Sequence, residues 1–138
     1  MVVKRKLQKM AQYLDELSLM QGMSLDEYLH DFRGRRAVER LIQLVVDVAV
    51  DINTHTVVDE GGPAPDDAYT SFVEAGKLGI LPTELVRAIA PSTGERNIIV
   101  HEYEDLDDVT VHGSIPETLR LYREYIQAVL EYVGRKSI

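Results

Sequence analysis

Residues 35–57 place Val38, Leu41, Ile42, Val45, Val48, Ala49 and Ile52 at steps of three and four along the chain. The β-branched excess of this segment suits a strand by composition. Strict alternation fails over it, however, and a period of about 3.6 fits, so the spacing predicts one long helix with a broad apolar face.

The other segments carry the same period. Leu7, Met10, Leu14 and Leu17 mark a helix over 4–20, ended by Gly22. "SLDE" at 24–27 has the form of a capping box, with the Ser24 hydroxyl and the Glu27 side chain each meeting the other's backbone amide, and starts a short helix through Phe32. "DEGGPAPDD" at 59–67 is the clearest break, since two glycines and two prolines deny a helix interior and a central strand alike. Next come "DDAYTSFVEAGKLG", a helix stopped by Gly79, and "PTELVRAIA", a shorter one with Pro82 at its start and Pro91 closing it. "STGE" at 92–95 reads as a second capping box and "SIPE" at 114–117 as a third. The last launches a helix bearing Ile115, Leu119, Tyr122, Ile126, Val129 and Val133 and ending at Gly134. The expectation is an all-α fold, a single-domain helical bundle of about five or six helices over 1–138.

Composition narrows the function classes. A chain of 138 residues buries one core without help from disulfides or metals. With 0 Cys, neither a disulfide framework nor a thiolate metal site is available, which makes the cytoplasm the expected location. The basic N-terminus is followed by no apolar signal-type stretch, and no run is expected to span a bilayer. The formal net charge of −8 argues against a protein that coats nucleic acid through a large positive field. The charge is uneven, though: Lys4, Arg5, Lys6 and Lys9 cluster at the start, and Arg33, Arg35, Arg36 and Arg40 face only Glu39. Glu102, Glu104, Asp105, Asp107 and Asp108 form an acidic run. A polyanion would have to be gripped locally, by arginines brought together in folding or across a dimer. Each run taken singly also fits a solvated helix face.

The most reactive side chains gather in "RNIIVHEY", residues 96–103. On a helix over 93–106, at about 100° per residue, Arg96, Val100 and Tyr103 share an arc that Asn97, Glu104 and His101 continue. Ile98, Ile99, Leu106 and Val109 fall opposite and are expected to anchor the segment to the core. The polar front offers a guanidinium, an amide, an imidazole and a phenol. No His-Glu-x-x-His spacing or Gly-rich phosphate loop accompanies them, which leaves metal hydrolysis poorly supported. An imidazole titrates near neutrality and can exchange protons with a ribose 2′-hydroxyl or a leaving oxygen, while a guanidinium can bind the phosphate whose charge grows in the transition state. One His supplies one proton-transfer group, so a symmetric dimer would complete such a site. The plainer alternative is that Arg96 pairs with an acid and His101 satisfies a helix-end carbonyl.

The string Arg96-Asn97-x-x-x-His101-x-Tyr103 resembles the R-x4-H-x-Y motif of HepT-like ribonuclease toxins, a branch of the HEPN superfamily. "RRAVERLIQLVVDVAVDINTH" at 35–55 is similar to that family's long helix, and "EDLDDVTVHGSIPETLRLYREYIQAVLEYV" to the region C-terminal to its motif. The resemblance implies a helical homodimer whose two motifs face one cleft and cut RNA without a metal or other cofactor. It implies Arg96 and His101 as the catalytic pair, Asn97 as their support, and Tyr103 as the residue to which a minimal nucleotidyltransferase antitoxin transfers AMP. Bulk and negative charge added there would block phosphate entry. Arg33, Arg35, Arg36 and Arg40 are the secondary, RNA-binding candidates, because the family's cleft is flanked by their helix. The acidic "EYEDLDD" departs from an ideal RNA cleft. Two rivals stay open: a non-catalytic HEPN-type module that binds nucleotide or docks a nucleotidyltransferase, and a purely structural dimerisation bundle.

The remaining polar residues read more plainly. Asn53 and His55 suit a helix C-terminus. His112 lies in a turn, His30 in a short exposed helix, and most of the seven tyrosines at the edge of the core, with Tyr122 and Tyr125 at helical spacing in the last helix.

Overall fold

The computed structural model describes residues 2–136, which form seven α-helices and one 3-10 turn with no strand among them. The helices are α1 (Val2–Ser18), α2 (Leu25–Leu29), α3 (Phe32–Asp59), α4 (Ala68–Lys77), α5 (Thr83–Ile89), α6 (Ser92–His101) and α7 (Asp108–Lys136). Six have seven residues or more, as the all-α reading expected, and α2 adds a five-residue segment between the first two.

The long helix α3 is the axis of the bundle, packing against α1, α2, α4, α6 and α7. Its stripe is buried as the period requires: Val38, Ile42, Val45, Ala49 and Ile52 are fully covered, and Val46 beside them widens the face. Leu7, Met10, Leu14 and Leu17 of α1 and Ile115, Leu119, Tyr122, Tyr125 and Val129 of α7 complete the same core. At 28 residues α3 is long and apolar enough to cross a bilayer, contrary to the expectation that no run would be, but half of its most apolar window is buried inside the bundle. That apolarity serves the core.

Several boundaries differ from the sequence reading, each for a local reason. The Ser24 capping box forms, with the Glu27 amide donating to Ser24 Oγ at 3.1 Å and the Ser24 amide to Glu27 Oε1 at 2.9 Å. Phe32, however, opens α3 instead of closing α2, because the Asp31 carboxylate accepts the Gly34 amide at 2.9 Å and starts a new helix. The other two boxes do not form. Ser92 is the first residue of α6, and its hydroxyl lies 2.7 Å from the Ile89 carbonyl and 2.6 Å from the Tyr122 hydroxyl. α7 begins six residues before Ser114, since Asp107 accepts the Val109 amide at 3.0 Å and the Thr110 hydroxyl at 2.9 Å. Pro116 is therefore inside α7, and the helix continues past Gly134 to Lys136.

Asn53 is no cap. It is completely buried, donating to Ser71 Oγ at 3.1 Å and accepting from the Tyr125 hydroxyl at 2.6 Å, a network that ties α3, α4 and α7 and satisfies every group it buries there. Tyr122 and Tyr125 are fully buried, Tyr122 on the apolar face expected of the last helix. His112 belongs to α7, where its Nε2 lies 2.8 Å from the Met23 carbonyl and its ring packs on Tyr28. His55 pairs with Asp59 one turn on, at 3.3 Å, and His30 Nδ1 lies 2.8 Å from the Asp26 carbonyl.

Candidate active site

The motif does not lie on one continuous helix. α6 ends at His101, Glu102 leaves helical geometry at φ −131 and ψ 44, and Tyr103–Asp105 form a separate 3-10 turn. The anchor is accordingly smaller than expected: Ile99 is buried, Ile98 and Leu106 are half-buried, and Val109 is 52% exposed. What the break achieves is to fold Tyr103 back onto α3. Arg96 meets α3 at Asp47 and Tyr103 meets it at Glu39, so the motif runs antiparallel to that helix over a rise of about 12 Å.

Arg96 is held from two sides. Its Nε donates to Asp47 Oδ1 at 2.7 Å and its Nη1 to Asn97 Oδ1 at 3.2 Å, which leaves Nη2 and part of Nη1 for an incoming anion. The Arg96 side chain is 23% exposed, enough to be reached and too enclosed to wander. Asn97, bonded to the guanidinium, and His101 are four residues apart and so share a face of α6. His101 is exposed in the last turn of the helix, and it makes no hydrogen bond or ion pair among the described residues. Of the two alternatives left by the sequence, Arg96 does pair with an acid, and His101 does not cap a carbonyl.

Tyr103 closes the other end. Its hydroxyl donates to Glu39 Oε1 at 3.0 Å, and the Arg36 guanidinium lies 5.1 Å above its ring. Arg36 Nη1 donates to both oxygens of Glu39, at 2.7 and 2.6 Å, and this hydrogen bond holds the guanidinium above its ordinary range. The Tyr103 phenol is likewise pushed up, first by partial burial and then by the Glu39 carboxylate beside it. Glu39 is only 4% exposed, so its charge is compensated by Arg36 and not by water.

The other arginines separate. Arg35 is committed to the scaffold, its Nη1 donating to the Tyr28 and Leu29 carbonyls at 3.2 and 2.6 Å and its Nε lying 3.6 Å from Asp108. Arg33 and Arg40 are exposed, the first over the Phe32 ring and the second donating to Gln43. Only Arg36 joins the motif. The acids Glu102, Glu104 and Asp105 are exposed around Tyr103. Among the described residues no three His, Asp or Glu side chains converge as a metal site. The surface concavity beside the motif, lined by Glu95, Ile98, Leu106 and Val111, is on the α7 side of α6 and includes neither Arg96 nor His101. The face that bears Arg96 and His101 is therefore not part of this concavity.

Asp47 and Glu39 are the site residues that the sequence reading missed. Their signal was present: both are acids within the apolar repeat of the long helix, where a charge needs a partner.

Known proteins are similar to this chain in both sequence and fold. The family model for "Ribonuclease HepT-like" matches residues 8–129. A tRNA nuclease HepT of Aphanizomenon flos-aquae is 36% identical over 132 residues, covering 96% of this chain and 90% of that one. A putative RNase of Archaeoglobus fulgidus is 34% identical over 84 residues, 61% of this chain and 63% of the relative. In fold, the chain is similar to the tri-AMPylated Shewanella oneidensis HEPN toxin solved in complex with the MNT antitoxin, with a TM-score of 0.86 at 18% identity over 94% of this chain and 97% of that one. A toxin–antitoxin structure with AMP-PNP gives a TM-score of 0.84 at 18% identity, over 93% and 97%. Matched along nearly its whole length, and with Arg96 and Tyr103 of the motif bonded to its central helix and His101 exposed between them, the chain belongs to the HepT-like ribonuclease family of HEPN-fold proteins.

Proposed function

We propose that the chain is a cytoplasmic, metal-independent endoribonuclease toxin, acting as a homodimer and neutralised by a minimal nucleotidyltransferase antitoxin that transfers AMP to Tyr103. The observation that carries the reading is an exposed His101, without a hydrogen-bond or ion-pair partner among the described residues, on the same helix as an Arg96 oriented by Asp47 and Asn97. Arg96 binds the scissile phosphate. His101 takes the proton of the ribose 2′-hydroxyl or returns one to the leaving 5′-oxygen. Because each protomer holds one such imidazole on an open face, two copies across a shared cleft supply both transfers. The relative from Aphanizomenon suggests tRNA as the substrate class.

The test is incubation of purified protein with tRNA in chelator, beside a DNA of matching sequence. Expected are 2′,3′-cyclic phosphate ends from RNA and no cut in DNA, which lacks the nucleophile. Activity lost on chelation, or a monomer in sedimentation, contradicts the reading. One observation favours the non-catalytic docking module: two of the donor groups of Arg96 are already engaged, one of them by an acid. A His101→Ala chain as toxic as the parent would overturn the catalytic role of His101 and favour that alternative.

A further inference from the structure

We infer that Glu39 is the proton acceptor for the modification of Tyr103, making this chain supply the general base for its own neutralisation. The inference rests on the proposed function, in which Tyr103 is the nucleophile.

A phenol attacks phosphorus well only as its proton leaves. The Tyr103 phenol is held above its ordinary range, so it carries its proton near neutrality and that proton needs a destination at the moment of transfer. The geometry provides one. The hydroxyl already points its hydrogen at Glu39 Oε1, 3.0 Å away, while the residue as a whole is 44% exposed. The proton faces the protein, and the oxygen lone pairs are left for an incoming electrophile. Glu39 stands on the central helix, 4% exposed and gripped on both oxygens by Arg36, so it cannot swing away from the phenol.

The reaction then balances within the site and two co-reactants, a nucleoside triphosphate and the nucleotidyltransferase that presents it. Tyr103 Oη bonds to the α-phosphorus. The bond from that phosphorus to the bridging oxygen breaks, and pyrophosphate departs with its electron pair. The phenolic proton passes to Glu39 Oε1 and later to solvent. While Glu39 carries that proton it does not repel the forming phosphodiester, and Arg36 can turn to the new anion.

Two experiments on the full chain test this. In the first, an aryl sulfonyl fluoride, which reacts with phenols without an enzyme, labels the parent and Glu39→Gln, and labelled tyrosines are mapped by mass spectrometry. Tyr69 is the internal control, being 55% exposed and without a carboxylate partner among the described residues. Tyr103 should outpace Tyr69 in the parent and fall to its rate in Glu39→Gln. Equal labelling of Tyr103 in both proteins overturns the proposal. In the second, each protein receives ATP, magnesium and the minimal nucleotidyltransferase antitoxin of the proposed function. Glu39→Gln should slow Tyr103 modification about 100-fold near neutral pH, with the deficit narrowing at higher pH as hydroxide substitutes for the base. A deficit of constant size across pH assigns Glu39 a structural role and overturns the proposal. If Glu39→Gln loses its helical circular dichroism, Glu39→Asp replaces it, keeping the charge for Arg36 but withdrawing the carboxylate by one methylene, and the same losses are expected. Nucleotide on Tyr103 at an undiminished rate in the variant overturns this inference alone. No nucleotide on Tyr103 of the parent overturns the neutralisation reading and this inference with it.

Discussion

Asp47 Oδ1 accepts a hydrogen bond from Arg96 Nε at 2.7 Å, joining the middle of α3 to the second turn of α6 across 49 residues of chain. With the two side chains 35% and 23% exposed, water screens the pair and its worth to stability is about 1 kcal/mol or less. Its larger effect is to aim the guanidinium.

Asp47→Ala should therefore separate aim from stability. Cleavage of RNA is expected to fall about 10- to 100-fold, the cost of misplacing a phosphate-binding group by roughly 1 Å, with little change in melting temperature. Single-turnover cleavage set beside a thermal melt reads both. Unchanged cleavage would show that Asn97 alone orients Arg96.

His101→Ala should leave the fold intact, because the ring is exposed at the end of α6 and alanine is the best helix former. Cleavage should drop by about two orders of magnitude or more, the usual worth of a general acid or base. Recovery of parental activity in the purified variant would remove His101 from the chemistry.

Tyr103→Phe keeps the ring under Arg36 and deletes the hydroxyl that donates to Glu39. Glu39 retains Arg36, so the stability loss should be about 1 kcal/mol, one hydrogen bond. The variant should cut RNA and escape its antitoxin. Growth restored by co-expressing the nucleotidyltransferase would count against Tyr103 as the modified residue.

Glu95 gives a pH-dependent test away from the chemistry. Burial against α7 holds its carboxyl above the ordinary range, and a hydrogen bond with Ser114 only partly opposes this. An acid whose pKa is raised on folding contributes nothing unfavourable below its unfolded value of about 4.3, and the folded state becomes progressively penalised as pH rises from there through the folded pKa. Glu95→Gln should therefore melt higher than the parent at pH 7, with the difference vanishing below about pH 4. A variant that melts lower at pH 7 would mean that the Ser114 contact outweighs the burial.

The helical class and the central helix were legible in the sequence because each depends on spacing along a single helix, and the motif was legible as a string although the break at Glu102 takes Tyr103 off the helix that carries Arg96 and His101. The 3.6 period of Val38 to Ile52 overrode a β-favouring composition, since a buried stripe must repeat with the helix that carries it. The R-x4-H-x-Y string by itself singled out Arg96, His101 and Tyr103. Capping was only partly readable. Ser24 capped as expected, yet Ser92 and Ser114 did not, because Pro91 and Asp107 had already started their helices. A capping box is a local pattern, and the neighbour that starts a helix first takes its place.

What only the tertiary structure decided is which residue faces which across the bundle. Asp47 and Glu39 are eight residues apart on α3, and their partners Arg96 and Tyr103 are seven apart on another segment, separated from them by a loop and two intervening helices. No periodicity reports that register. It is set by how α6 packs on α3 and by the break at Glu102, which turns Tyr103 off the helix and onto Glu39. The sequence by itself determined the reactive groups. Packing determined that two acids on the central helix hold two of them, Arg96 and Tyr103, while His101 stays free, because long-range ion pairs and hydrogen bonds form only once the core has fixed the distances between helices.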